Sequence, residues 1–190
     1  MLNFDNTNFY SKPFEYFTGN SAIDQNLSIQ VLDWFEADAP WHYVETDFYE
    51  QYEFDLLNVQ VPDNLSSLSS KSVLETLKKD VERLFRVELS KQIDITAHKL
   101  IAEHRIRLHN DFVPNQETHR ILIQFNRGWN ADNGGLLMLF NSSEPSDVHK
   151  IILPEHNSVL GFAISPHSNH AVSTVHQGER FTLVYSFYQQ

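Results

Sequence analysis

The sequence predicts a mainly β fold with flanking helices, a sandwich or jelly roll, and three observations support that reading. From about residue 93 onward, short runs rich in branched and aromatic residues follow one another with no helical segment between them. Turn signals separate these runs, among them Asp132-Asn133-Gly134-Gly135 and Gln177-Gly178, the latter in a tight hairpin position. Before residue 93, two amphipathic stretches carry the three- and four-residue spacing of helices. A parallel α/β sheet would alternate strand and helix along the whole chain, and this one does not.

The first helix is expected over residues 27–35, where Leu27, Val31 and Leu32 form a stripe and Pro40 prevents a long continuation. Residues 41–62 are aromatic and branched, hence strand-like. The serine-rich run 66–70 reads as a loop into the second helix. There Ser72-Val73-Leu74-Glu75 fits a capping box, in which the serine takes a free N–H and the glutamate reaches back. Leu74, Leu77, Val81, Leu84 and Phe85 then make the buried face, opposite Lys78, Lys79, Glu82 and Arg83. Strands follow at 106–111, 120–126, 136–140, 150–153, 158–164, 170–175 and 180–188. In the last of these Phe181, Leu183, Tyr185 and Phe187 share one face, leaving Arg180 and Thr182 on the other. The helices are expected to cover one outer face of a single domain. Residues 1–92 form its support and substrate region, and residues 93–190 its jelly-roll core.

Composition narrows the function. The 190 residues are 41% hydrophobic and 13% aromatic, enough for a packed core and too much for a disordered chain. Fourteen basic against 25 acidic residues give a net charge of −11, so a basic face for nucleic acid or an anionic membrane is not expected. The absence of cysteine excludes a disulfide scaffold, a thiolate zinc site and a cysteine nucleophile. Met1-Leu2-Asn3-Phe4-Asp5 has neither the positive region nor the apolar run of a signal peptide, and no stretch has the length of a membrane span. A soluble, cytoplasmic protein with a small-molecule substrate is the expectation.

Ten histidines are many for this length, and one of them opens His109-Asn110-Asp111. On a strand, residues 109 and 111 point to the same face, so an imidazole and a carboxylate can hold one metal ion from one side. With a third ligand from elsewhere, two histidines and a carboxylate suit non-haem Fe(II), which must keep positions open for a cosubstrate and O₂.

Beyond this triplet, several stretches occur in a familiar order: His109 to Phe112, Arg120 to Asn126, Trp129 to Leu136, Leu153-Pro154, Ser158 to Phe162, His170 to Ser173, and Gly178 to Thr182. Together they resemble the core of Fe(II)/2-oxoglutarate-dependent oxygenases of the prolyl-hydroxylase-like group, over about half the chain. The resemblance implies a double-stranded β-helix, cupin-like, that hydroxylates an unactivated C–H bond with Fe(II), 2-oxoglutarate and O₂, releasing succinate and CO₂. It makes His109, Asp111 and His170 the iron ligands. Arg180, whose planar fork matches a carboxylate, would hold the far end of 2-oxoglutarate, and Thr182 would add a hydroxyl to it. Gly134-Gly135 corresponds to a glycine pair that allows a tight turn beside the site.

Among nearby histidines, His167 and His176 are expected to face solvent; His98, His104 and His119 are assigned to structure or solvent, and Tyr49, Tyr52 and Phe54 to the core. Arg107, by strand parity with His109, is a candidate for a substrate carboxylate. Asn126, with Gln124, is a candidate for lining the cavity, and Trp129 for a lid over it. Many members of the group have a cosubstrate-binding tyrosine upstream of His-x-Asp, where this chain reads His98-Lys99-Leu100. The N-terminal half looks more like small bacterial members acting on free amino acids or small peptides. Asp111 favours hydroxylation over the halogenation performed by relatives that lack this carboxylate. A free amino acid or small peptide-like substrate is therefore expected. A peptidyl prolyl-type hydroxylase, a non-catalytic jelly-roll binding module and a zinc hydrolase are the competing readings.

Overall fold

The computed structural model describes Phe4 and residues 7–190; the opening residues, read above for a targeting signal, lie outside the described residues. The elements run β1 (Asn8–Tyr10), β2 (Tyr16–Asn20), α1 (Gln25–Ala37), β3 (His42–Glu45), β4 (Glu50–Asp55), α2 (Lys71–Phe85), β5 (Leu89–Leu100), β6 (Ile106–His109), β7 (His119–Gln124), β8 (Leu137–Phe140), β9 (Val148–Ile152), β10 (Ser158–Ala163), β11 (His170–Val172) and β12 (Arg180–Gln189). They build two antiparallel sheets, a large one ordered β1-β2-β10-β7-β12-β5-β4-β3 and a small one ordered β6-β11-β8-β9. Chain neighbours often lie in different sheets, as a jelly roll requires. No helix of the described residues is long and apolar enough to cross a membrane.

Period-two alternation decides which side of the large sheet meets the helices. Phe181, Leu183, Tyr185 and Phe187 of β12, Ile121 and Ile123 of β7, and Ile95 and Ala97 of β5 all join one core with α1 and α2. From α1 come Val31, Leu32 and Phe35, and from α2 come Leu77, Val81 and Phe85. Burial of each such side chain contributes roughly 1.5–3 kcal/mol. The opposite face of the large sheet, including Arg180 and Thr182, turns toward the small sheet and positions the site.

Asp24 starts α1 by accepting the backbone N–H groups of Asn26 and Leu27 at 3.0 and 3.1 Å. The capping box expected at Ser72 does not form. Helix α2 begins two residues earlier, capped by Ser70 without a side-chain bond, so Ser72 already lies inside its first turn. At its other end, Glu82 accepts from Lys78 at 2.6 Å and from the Leu89 backbone at 2.9 Å, fastening the helix to β5.

Three strand expectations also change. The strand from 106 stops at His109, because Asp111 adopts φ +60°. Gln177-Gly178 is not a hairpin turn, since β11 and β12 belong to different sheets and the segment crosses between them. Strands β1 and β2 extend the large sheet beyond β10, although no alternation in residues 8–20 announced them.

Candidate metal centre

His109 and His170 face each other as a cross-strand pair between β6 and β11. Their ring centroids are 4.2 Å apart. Asp111 is brought to them by a left-handed backbone turn instead of by strand pleat, so the convergence expected from parity is reached by a different route. Asp111 Oδ1 lies 3.3 Å from His109 Nε2, and its Oδ2 lies 3.1 Å from His170 Nε2. One ligand atom from each of the three residues falls within 4.8 Å of the others.

Local backbone geometry sets both imidazoles for coordination. His109 Nδ1 is 2.7 Å from the carbonyl of Arg107, and His170 Nδ1 is 2.7 Å from the carbonyl of Ser168. A carbonyl can only accept, so each Nδ1 carries the hydrogen and each Nε2 presents its lone pair to the common centre. Burial, the first cause, together with the neighbouring His109, lowers the pKa of His170 despite Asp111 beside it, which keeps the ring neutral for ligation. Two neutral nitrogens and one carboxylate fit a divalent iron ion with open positions.

Asp111 is buried, which alone would raise its pKa, yet Arg120 and the two histidines hold it well below the ordinary carboxylate range. Arg120 Nη1 donates to Asp111 Oδ2 at 2.7 Å, while its Nε and Nη2 fork onto Glu117 at 2.9 and 2.6 Å. Arg120 was missed as a site residue in the sequence. The available signal was parity, since Arg120 shares the interior face of β7 with Leu122 and Gln124.

From the two histidines a cavity extends between the sheets past Leu122, Val172 and Val184 to Arg180 and Thr182. Arg180 is 3% exposed and has no acidic partner. Its Nε donates to the Gly135 carbonyl at 2.8 Å and its Nη1 to Thr182 Oγ1 at 2.8 Å, whereas Nη2 is buried with no partner. Burial pushes its pKa down to about 10. A buried guanidinium without a counter-charge is costly, and the carboxylate end of an anionic ligand would supply the missing partner. The loop ahead of β8 is shaped around this arginine. A Cβ on Gly134 would sit 2.1 Å from the Thr174 carbonyl, and one on Gly135 would sit 2.9 Å from Arg180 Cδ. A wider cavity of about 550 Å³ opens between β2, β9 and β10, but its lining includes neither the triad nor Arg180.

The three candidate substrate residues lie elsewhere. A register shift between His170 and Val172 breaks the parity on β6, so Ile106 and His109 line the cavity. Arg107 instead points out to the β3–β4 hairpin, donating to the Asp47 carbonyl at 3.0 Å. Asn126 is 1% exposed and spends its amide on the Pro154 carbonyl at 2.8 Å and the Phe181 N–H at 2.7 Å. Trp129 is a buried brace and not a lid, its Nε1 donating to the Gly134 carbonyl at 2.9 Å. Conversely, Gln51 and His98 line the cavity although neither was expected there. Phe54 is core, as expected, but Tyr49 bridges to Ile106 and senses the charges of Arg120 and Asp111. His167 and His176 are exposed.

A jelly roll that gathers two histidines and a carboxylate at one end of a cavity, and an unpaired arginine within it, has the form of a non-haem iron oxygenase. Comparison with known proteins specifies the group. Residues 95–187 match the family model of the 2OG-Fe(II) oxygenase superfamily. A prolyl 3-hydroxylase of Mus musculus, OGFOD1, is 28% identical over 139 residues, covering 68% of this chain and 25% of that protein. The chain thus spans about a quarter of that relative's length. A Pseudomonas putida prolyl-4-hydroxylase structure is similar with a TM-score of 0.75 at 14% identity, covering 92% of each chain. A prolyl hydroxylase from Trichoplax adhaerens, in complex with a hypoxia inducible factor oxygen degradation domain peptide fragment, also gives 0.75, at 15% identity over 92% of this chain and 83% of that one. Over residues 95–187 the chain is thus similar to the 2OG-Fe(II) oxygenase superfamily.

Proposed function

We propose that the protein hydroxylates a prolyl residue within a peptide or protein, with His109, Asp111 and His170 holding the iron and Arg180 the far carboxylate of 2-oxoglutarate. The observation that carries this reading is that both histidines of the three-ligand cluster share one cavity with a buried arginine whose Nη2 is unpartnered among the described residues. Iron held there would activate O₂ at the expense of 2-oxoglutarate, one oxygen atom entering succinate with loss of CO₂ and the other entering the C–H bond of the product. The chain's own residues orient the ligands and keep water out. Asp111 stays ionised beside Arg120, the histidines present Nε2, and Leu122, Val172 and Val184 wall the path to Arg180.

A peptide target is favoured over the free amino acid expected from the sequence. A free amino acid brings an ammonium and a carboxylate, each wanting a counter-charge near the metal. The cation there, Arg120, already serves Asp111 and Glu117. Apolar groups also stand beside the triad, next to the charged Asp47, Glu50 and Arg107. Phe48 lies 5.0 Å from the His109 ring and is 38% exposed; Phe112 and Val113, next to Asp111, are 42% and 55% exposed. Such a rim suits an extended chain with no charges at the reacting residue. The similarity to prolyl hydroxylases points the same way.

The test is anaerobic loading with Fe(II) and 2-oxoglutarate, then O₂ with prolyl peptides or free amino acids, reading succinate and product mass. Peptide-dependent succinate with a one-oxygen mass gain on proline supports the proposal. Coupled turnover with free amino acids alone would overturn it.

A further inference from the structure

A buried carboxylate wants a donor for each of its two oxygens. On the interior face of the large sheet, Arg180 offers Nη2, which has no partner among the described residues. Thr182, the hydroxyl expected to help, has none left to give. It accepts from Arg180 Nη1 at 2.8 Å, and its single hydrogen goes to Gln124 Oε1 at 2.9 Å. The upstream tyrosine of many relatives is also missing. A second donor must come from another residue lining the same space.

Thr182 has two cross-strand neighbours, Gln124 on β7 and His98 on β5. Gln124 accepts from Thr182 through Oε1 and lines the separate cavity between β2, β9 and β10, whereas His98 lines the cavity that holds Arg180, His109 and His170. No hydrogen bond acts on the His98 imidazole, whose pKa is set by burial first and then by the nearby charges of Arg120, Arg180 and Asp111. The balance pushes it down to about 3, so the ring is neutral and carries one N–H. Across β5 on its other side stands Glu53, already engaged by the Gln51 amide at 2.7 Å. Leu100, paired with Arg180, is apolar.

We propose that His98 is the second anchor of the cosubstrate, donating its ring N–H to the far carboxylate of 2-oxoglutarate beside Arg180 Nη2. The proposal rests on the reading that Arg180 receives that carboxylate. His98 reaches that carboxylate from β5, the strand on the opposite side of Thr182 to Gln124. Its neutrality is what lets it remain between two arginines and still donate.

The experiment measures binding without turnover, by calorimetry on Mn(II)-loaded protein. The titrants are 2-oxoglutarate and 2-oxopentanoate, which keeps the keto acid end and has a methyl group in place of the far carboxylate. His98→Phe should lose about ten- to hundredfold in affinity for 2-oxoglutarate, the effect of one hydrogen bond to a charged group. Its affinity for 2-oxopentanoate should be unchanged, which also certifies the fold and the metal end. His98→Gln, which retains an N–H donor, should recover most of the loss. If H98F and H98Q both bind 2-oxoglutarate as the parent does while Arg180→Met does not, the role of His98 is refuted and that of Arg180 stands. Equal losses for both titrants in H98F and H98Q also refute it. If Arg180→Met leaves 2-oxoglutarate binding intact, the underlying cosubstrate reading fails instead.

Discussion

Arg120 Nη1 rests 2.7 Å from Asp111 Oδ2, joining the candidate metal carboxylate on the loop after β6 to an arginine on β7. The same guanidinium forks onto Glu117, and these three side chains are at most 20% exposed. Removing one partner from a buried ion network leaves uncompensated charge, which costs more than the pair contributes. Arg120→Met should therefore lower the stability of the metal-free protein by about 3 kcal/mol in chemical denaturation. The double variant Glu117→Gln with Arg120→Met should recover part of that loss. Additive losses in the double variant would show that the two residues are not coupled.

Asn126 separates a structural reading from a substrate reading. Its side chain satisfies the Phe181 N–H and the Pro154 carbonyl in the interior. Asn126→Ala should cost about 2–4 kcal/mol, because two buried backbone groups lose their partners. The KM for a peptide substrate, measured on the folded fraction, should not move. A rise in KM with unchanged stability would instead place Asn126 in contact with substrate.

His119 makes stability depend on pH. It is 4% exposed and lies tilted against the Phe85 ring with centroids 4.9 Å apart, and burial pushes its pKa down to about 4. An unfolded histidine titrates near pH ~6.5, so on acidification the unfolded chain takes up this proton first. The contribution of His119 is thus intact above pH ~6.5 and is lost as the pH falls toward about 4, at ~1.4 kcal/mol per pH unit. His119→Phe, still able to pack on Phe85, should flatten the acid limb of a denaturation-midpoint series by one proton's worth. An unchanged slope would mean that this imidazole is not held neutral.

The parts of the fold that were legible in the sequence are those where one period governs one face. β12 alternates so strictly that the inward side of Arg180 followed from Phe181, Leu183, Tyr185 and Phe187 on the other. The α2 stripe was equally readable, but its start was not, because Ser70 and Ser72 are both good caps and only packing chooses between them. Parity failed on β6, where the register shift opposite β11 turned Arg107 outward and a left-handed residue carried Asp111 inward. No residue type in His109-Asn110-Asp111 announces that turn. Arg120 went unnamed as a site residue, and His98 was read as structure or solvent, for another reason. Their importance comes from neighbours on other strands, Asp111 and Thr182, and sequence distance hides such pairs.

Metal binding should be readable as stability before any turnover is measured. Both imidazoles already have Nδ1 bonded to backbone carbonyls, so little reorganisation is needed to ligate through Nε2. A ligand that binds only the folded state stabilises it by about 2.7 kcal/mol at a hundredfold excess over its Kd. Mn(II), which resists air oxidation, should therefore raise the melting temperature of the parent protein measurably under anaerobic and aerobic conditions alike. Asp111→Asn keeps the shape and removes the charge, and should abolish that shift while leaving the metal-free fold in place, since Arg120 retains its fork on Glu117. His170→Ala should do the same, whereas the exposed His176 can be changed to alanine without consequence. A full Mn(II) shift in the Asp111 and His170 variants would move the metal away from this cluster and leave Arg180 without the neighbour that makes it a cosubstrate anchor.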